Sequence, residues 1–328
     1  MINNDYLIYD YFTFTTKIHT VTEVVELLGL SDLKAQRLKG FYRYKDRLYY
    51  DGISIHFNGP VDLDMGVCVE MSGTGCRTFE SYGTGDYTGL FNLILQNYDD
   101  ESSKRKMNIT RLDVAYDDFS GILDLPLLCI ETQKLNFVSR FKDWQVITGN
   151  KGISVNHGSN KSNVYIRIYD KRLEQNMQDI IPHWVRFEIQ MRKECALGFL
   201  MLQGDINQNF YSTLNQYLRY TVQGLDSNPS MRDTAPYWLN FIQSAESQAI
   251  FHKPAKNYSF DKLYTYVNSQ LSGAIKTYIT VVGVPQFLLD VNQSQKGKQL
   301  NPKYQKIIDE SEDEPTDILD YLQKHNLL

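Results

Sequence analysis

Three segments of this chain alternate apolar and polar residues with a period of two, and each carries ionisable side chains on its polar side. They are Thr110-Arg111-Leu112-Asp113-Val114-Ala115-Tyr116-Asp117, Val164-Tyr165-Ile166-Arg167-Ile168-Tyr169-Asp170-Lys171 and Val185-Arg186-Phe187-Glu188-Ile189-Gln190-Met191-Arg192. Alternation of this kind marks strands with one buried face. Tyr165, Arg167, Tyr169 and Lys171 therefore share one side of their strand. In each segment an arginine precedes Asp113, Tyr169 or Glu188 by two places. If the strands are neighbours in one sheet, a phenolic hydroxyl, two carboxylates and several arginines converge. Such a set suits metal-assisted attack on a phosphodiester.

The rest of the chain places these strands in a loosely repeated frame. Tyr6 to Thr16 reads as a strand, and Val21 to Leu28 as a helix with capping-box spacing between Thr20 and Glu23. Phe41 to Tyr50 and Ile53 to Phe57 flank the turn dipeptide Asp51-Gly52. Gly66 to Met71 is a further strand, and Thr88 to Asn97 a helix. A second round follows: strand Ile109 to Tyr116, helix Asp124 to Leu135, a hairpin around Asn150-Lys151-Gly152, and the strands Val164 to Tyr169 and Trp184 to Met191. Beyond Glu194 the periodicity is helical, over Asn207 to Gln223, Tyr237 to Gln248 and Ser259 to Val282. The expected fold is α+β: antiparallel-rich sheet with helices on one face, loosely duplicated, then a helical C-terminal region. The expected domains are 1–250, carrying the chemistry, a helical basic region at 251–308 and an acidic tail at 309–328.

Charge is unevenly spread. Asp309 to Asp320 holds seven carboxylates and no Lys or Arg, so the remaining residues carry a net +2 against −5 for the whole chain. Any basic surface must then be local. No apolar run approaches a bilayer span, and the N-terminus lacks signal-peptide grammar. Cys68, Cys76, Cys129 and Cys195 are scattered, without zinc spacing. Reduced thiols and a cytoplasmic location, with no membrane partner, are the expectation.

For Asp113 and Glu188 the plain reading is a pair with the arginine two places back or with one on the next strand, since a buried unpaired carboxylate is costly. Two such strands flanking the tyrosine strand favour a Mg²⁺ or Mn²⁺ site instead. Tyr165 and Tyr169 lie about 13 Å apart along their strand, so one ion can serve only one of them. Arg167 and Lys171 flank Tyr169, which leans the choice its way without closing it. Ser72-Gly73-Thr74-Gly75-Cys76-Arg77 lacks the Lys-Ser/Thr ending of a P-loop and reads as a tight turn or a close backbone approach to DNA. The six histidines form no His-x-His pair. His157 reads as a surface-loop residue, with nucleic-acid contact as the alternative.

Taken together, Met71 to Glu80, Ile109 to Asp118, Gly158-Ser159 through Ile168-Tyr169-Asp170-Lys171, and Arg186-Phe187-Glu188 resemble the Rep_trans family of rolling-circle replication initiators, with relatives among relaxases of conjugative elements. The resemblance spans roughly residues 5 to 290, in the family's order. It implies nicking of one strand at an origin hairpin through a tyrosine that stays joined to the 5′ phosphate, with Mg²⁺ or Mn²⁺. Tyr169 then matches the nucleophile and Asp113 and Glu188 the metal positions. Arg111, Arg167, Arg186 and Lys171 would hold phosphates or offset transition-state charge. The implied partners are single-stranded or cruciform origin DNA, a second copy of the chain and a host helicase. Origin recognition would fall after Phe251, where Lys253, Lys256, Lys262, Lys276, Lys296 and Lys298 could meet phosphates. The alternatives are a DNA-binding regulator that does not cut and a metal-dependent hydrolytic nuclease without a covalent intermediate.

Overall fold

The computed structural model describes residues 6–98, 106–149, 152–202, 204–223, 229–248, 260, 263–264, 267–294, 300, 302–309 and 317–325. The chain divides into two units, Met1–Lys253 and Pro254–Leu328.

The first unit is built from two rounds of one plan. Strand β1 (Tyr6–Thr16) leads into helix α1 (Val21–Leu27), then strands β2 (Gln36–Lys39), β3 (Asp46–Tyr50), β4 (Ile53–Phe57) and β5 (Val67–Met71). Helices α2 (Gly73–Tyr82) and α3 (Tyr87–Asn97) close the round. The second round runs β6 (Met107–Asp118), α4 (Leu125–Gln133), β7 (Phe137–Ser139), β8 (Trp144–Gly149), β9 (Gly152–His157), β10 (Val164–Asp170), α5 (Lys171–Glu174) and β11 (Val185–Arg192). Helices α6 (Lys193–Met201) and α7 (Ile206–Tyr217), strand β12 (Leu218–Tyr220) and helix α8 (Pro236–Gln248) complete the unit.

Ten of these strands form one antiparallel sheet in the order β2-β3-β4-β5-β1-β6-β11-β10-β9-β8. In each round the first strand lies at the centre, the last strand returns beside it, and the others step outward. A twofold axis perpendicular to the sheet, between β1 and β6, would generate this order and polarity. The repeat that the sequence showed only faintly is thus explicit in the strand order.

Period-two alternation sorts the two faces. Phe12, Phe14, Ile55, Val69, Leu112, Val114, Ile166, Ile168, Phe187 and Ile189 are buried on one side, where α2, α3, α4, α6 and α7 pack. Arg111, Asp113, Arg167, Tyr169 and Glu188 lie on the other. Local signals set several ends. Thr20 and Glu23 form the predicted capping box of α1. Asp51 and Gly52 both have positive φ in the β3–β4 hairpin, as a type I′ turn requires.

Four expectations need correction. Ser72 to Arg77 is neither a turn nor a loop: Ser72 caps α2, its hydroxyl accepting from the Gly75 N–H. Gly75 is required because a Cβ there would strike the Gly52 carbonyl. Phe41 to Tyr44 is not strand, for the chain leaves β2 and loops out before β3. The helix expected over Asn207 to Gln223 ends at Tyr217, where β12 pairs with β7. Last, His157 lies in no surface loop. It ends β9 fully buried among Phe137, Phe141 and Tyr220, with Nε2 3.1 Å from the Tyr220 hydroxyl.

Burial pushes the His157 imidazole down to about 3. Above the unfolded value of about 6.5 the ring is neutral in both states, and its titration leaves stability unchanged. Below it the unfolded chain gains a proton that the folded chain refuses. Lowering pH from about 7.5 to 5 should therefore cost roughly 2 kcal/mol through this residue. Chemical denaturation at both pH values should show that difference shrinking by a similar amount in His157→Leu. An unchanged difference would mean that His157 is not the group responsible.

The second unit is helical where described: a π-helical turn at Val267–Leu271, then α9 (Ser272–Val282), α10 (Val284–Gln293), α11 (Pro302–Asp309) and α12 (Ile318–Lys324). Gly283, with φ +83, separates α9 from α10, which are bent by 115°. Together these two have the length and apolar composition of a broken span, but no single described helix is long and apolar enough to cross a membrane. Lys276 is exposed on α9. Lys253, Lys256, Lys262, Lys296 and Lys298, Ser259 at the start of the expected helix and the acidic stretch 310–316 lie outside the described residues.

Candidate active site

Strands β6, β11 and β10 are consecutive in the sheet, so the three segments that began the sequence reading do converge. The register sets Glu188 opposite Ala115 on one side and Arg167 on the other. It sets Arg186 opposite Asp117 and Tyr169, and Gln190 opposite Asp113 and Tyr165.

Glu188 is the hub. It is 2% exposed, and Arg167 Nη2 donates to both of its carboxylate oxygens at 2.7 and 2.8 Å. The Tyr169 hydroxyl donates to Oε2 at 3.2 Å. Lys171 Nζ reaches the same hydroxyl at 3.5 Å and is held by Glu174 at 2.6 Å. The Arg167 guanidinium lies 5.2 Å from the Tyr169 ring centre. Burial, and then the Glu188 carboxylate, push the phenol of Tyr169 far above its usual range, while Arg186 and Arg167 pull the other way. In this resting arrangement Tyr169 is a protonated phenol with a carboxylate placed to accept its proton.

Asp113 is likewise 2% exposed and takes a two-pronged bond from Arg111, at 2.9 and 2.5 Å. Burial raises its carboxyl above the ordinary carboxylate range and the charge of Glu188 adds to this, against the Arg111 hydrogen bonds. Asp113 thus pairs with the arginine two places back, and Glu188 with the one on the next strand. Both of the plain pairings are realised, one at each carboxylate. Arg186 is directed elsewhere. Its guanidinium is bound by Asp117 through two 2.7 Å bonds and by Asp10 at 2.8 Å, and only 5% of its side chain is exposed. Arg186 therefore sits behind Tyr169 as a buried cation.

Tyr165 is half-buried beyond Arg167, and among the described residues no carboxylate accepts a hydrogen bond from its hydroxyl. Asp117 and Asp10 escaped the sequence reading. Period two alone would have put Asp117 on the face of Asp113, but Asp10 enters only through a register shift between Tyr9 and Tyr11. Several buried polar atoms on this face find no protein partner among the described residues: Arg167 Nε, Gln190 Nε2, Arg192 Nε, Asn156 Oδ1 and Thr13 Oγ1. Arg192 faces Arg111 across β11 and β6, a like-charge pair that an anion would relieve.

A divalent ion such as Mg²⁺ needs hard oxygen donors. Among the described residues no group of three or more His, Cys, Asp or Glu side chains is arranged to hold one. Two neighbouring carboxylates remain, Asp113 and Glu188, and after burial the charge of Glu188 adds to the raising of the Asp113 carboxyl. Mg²⁺ and Mn²⁺ are commonly held by one or two carboxylates, with water and substrate phosphate completing the shell, so Asp113 and Glu188 fit that need.

Residues 107–284, more than half of the chain, match the sequence profile of the Rep_trans family, replication initiation factor. The chain belongs to this family. Residues 6–95 match the N-terminal domain of rolling-circle replication initiation proteins. Among curated proteins, the "Putative DNA relaxase NicK" of Bacillus subtilis (strain 168) is 28% identical over 268 residues, covering 76% of this chain and 74% of the relative. Among solved structures, a rolling-circle replication initiator protein from Geobacillus stearothermophilus superposes with a TM-score of 0.65 at 28% identity, over 74% of this chain and 97% of that one. The family resemblance read from the motifs and the α+β fold expected with it both hold. By family, then, this Rep_trans chain is a rolling-circle replication initiator or relaxase.

Proposed function

We propose that this Rep_trans member nicks one strand of its origin through Tyr169 and later reseals it. The observation that carries the reading is the Tyr169 hydroxyl hydrogen-bonded to Glu188, on a face whose guanidinium groups have unspent donors. Tyr169 Oη attacks the scissile phosphorus, and the bond from phosphorus to the 3′ oxygen breaks. Glu188 accepts the phenolic proton, and the departing 3′ oxygen takes up a proton to leave a hydroxyl. The phosphotyrosine conserves the bond energy, so that hydroxyl can reverse the step without ATP.

Arg167 holds the Glu188 carboxylate in line, and the exposed part of its guanidinium, with 40% of the side chain accessible, faces a phosphate oxygen. Lys171 and Arg186 place positive charge beside the phenolate as it forms. Arg111 orients Asp113. A Mg²⁺ or Mn²⁺ ion held by Asp113 and Glu188 would polarise the phosphoryl oxygen. The substrate is single-stranded or extruded, because a strand-borne tyrosine on a broad sheet cannot reach into duplex. Recognition of the origin is placed in the region after residue 250, and action as a homodimer with a host helicase in the cytoplasm completes the reading.

The test is incubation of the protein with Mn²⁺ and oligonucleotides tiling the inverted repeats of its own replicon, followed by a denaturing gel and peptide mapping. The expected result is a protein–DNA adduct on Tyr169 that EDTA prevents and that Asp113→Asn greatly weakens. An adduct on Tyr165 would move the nucleophile. Cleavage without adduct would mean hydrolysis, and binding without cleavage a regulator.

A further inference from the structure

The half of the polar face that this chemistry leaves unused carries a displayed aromatic loop. Between β2 and β3, Phe41 and Tyr42 leave 55% and 62% of their surface exposed. Tyr42 and Arg43 both hold left-handed backbone, φ 53° and 72°, which bulky residues seldom adopt and which recurs where a ligand is gripped.

The loop is fixed in place. The Phe41 N–H donates to His56 Nδ1 at 3.3 Å, and the Tyr44 hydroxyl to the Met65 carbonyl at 3.2 Å. Arg47 on β3 lies 4.6 Å from the Phe41 ring centre and 5.5 Å from that of Tyr49. Buried Arg47 Nε and His56 Nε2 have no hydrogen-bond partner among the described residues.

From this loop a file of side chains crosses the sheet to the candidate site. Burial, and then the charge of the Glu70 carboxylate, push up the phenols of both Tyr42 and Tyr11. The Arg111 guanidinium sits 4.1 Å from the Tyr11 ring centre and binds Asp113. Strand β3 is four strands from β6 and six from β10, which bears Tyr169, about 19 and 29 Å across the sheet, a span of several nucleotides.

The geometry points to a stacking site for single-stranded DNA: Phe41 and Tyr42 take bases of the strand flanking the nick, and Arg47 takes its backbone. This rests on the nicking reading for its substrate. Exposed ring faces beside guanidinium groups are how proteins hold unpaired bases irrespective of sequence. Duplex DNA would bury its base faces in its own stack. Among occupants, single-stranded DNA fits because the file is continuous with the place where the strand would be cut.

The experiment is fluorescence anisotropy of the full chain with a labelled oligo-dT of about twenty nucleotides, a length covering one or two such sites. Changing Phe41→Ala and Tyr42→Ala together should raise Kd on the order of tenfold, with the thermal midpoint kept because both rings are mostly exposed. Phe41→Trp should retain binding and show fluorescence quenching when oligo-dT is added. In nicking assays the double variant should raise KM and leave kcat unchanged. Unchanged oligo-dT affinity in the double variant overturns the stacking site, even in a protein that forms its adduct. Conversely, lost affinity in a protein that never forms an adduct sinks the nicking reading and leaves the stacking site standing.

Discussion

Tyr169→Phe should abolish the covalent protein–DNA adduct and slow strand cleavage on the order of 10⁴-fold or more, the usual scale for losing a nucleophile. The substitution removes one oxygen and leaves the ring on its strand. The lost hydrogen bonds to Glu188 and Lys171 should change stability by no more than about 1 kcal/mol. Oligonucleotide binding should persist. Tyr165→Phe is the matched control, since that phenol has neither carboxylate nor lysine on its hydroxyl, and cleavage should stay within a few-fold of the parent. Single-turnover gels on the two variants separate these outcomes. Full cleavage by Tyr169→Phe would remove Tyr169 from the mechanism.

The second large effect concerns folding. Asp117 is fully buried and accepts two bonds from Arg186 and one, at 2.8 Å, from the indole N–H of Trp184. Asp117→Ala strands a buried guanidinium with only Asp10 against it. Breaking a buried pair from one side typically costs about 3–5 kcal/mol, and denaturant titration should show a loss of that size. Replacing both partners, Asp117→Leu with Arg186→Met, should recover much of it, because apolar groups of similar volume often replace a buried pair without loss. If Asp117→Ala were as stable as the parent, the pair would not be the clamp described above.

How much of this was legible in the sequence follows from the physics of each element. The three strands were plain because period two is a local property, written in Arg111-Leu112-Asp113 and Tyr165-Ile166-Arg167. Their adjacency was an inference from shared grammar, and the sheet order now supplies it. What could not be read was which arginine would meet which carboxylate. The spacing is the same for Arg111–Asp113 and Arg186–Glu188, yet register across strands gave Glu188 to Arg167 and Arg186 to Asp117. Register depends on partners far along the chain. His157 misled for a related reason: its Asn-His-Gly-Ser neighbourhood looks like a loop, but Phe137 and Tyr220, distant in sequence, enclose it. The Phe41 loop failed through propensity, since aromatic residues that favour strands were spent on a displayed turn.

The palindromic strand order has a consequence for synthesis. β1 is made well before its central partner β6, which begins about ninety residues later: Thr16 pairs with Met107. Until then the nascent first round holds an open β1 edge at what will become the middle of the sheet, a position most proteins protect. Because the second round is built on the same plan, another chain's β1 or β6 offers nearly the same edge. Assembly is therefore a race between the chain's own second half and its neighbours. Such long-range pairing is slow by topology alone, and crowded ribosomes on one message would favour exchange of halves between copies.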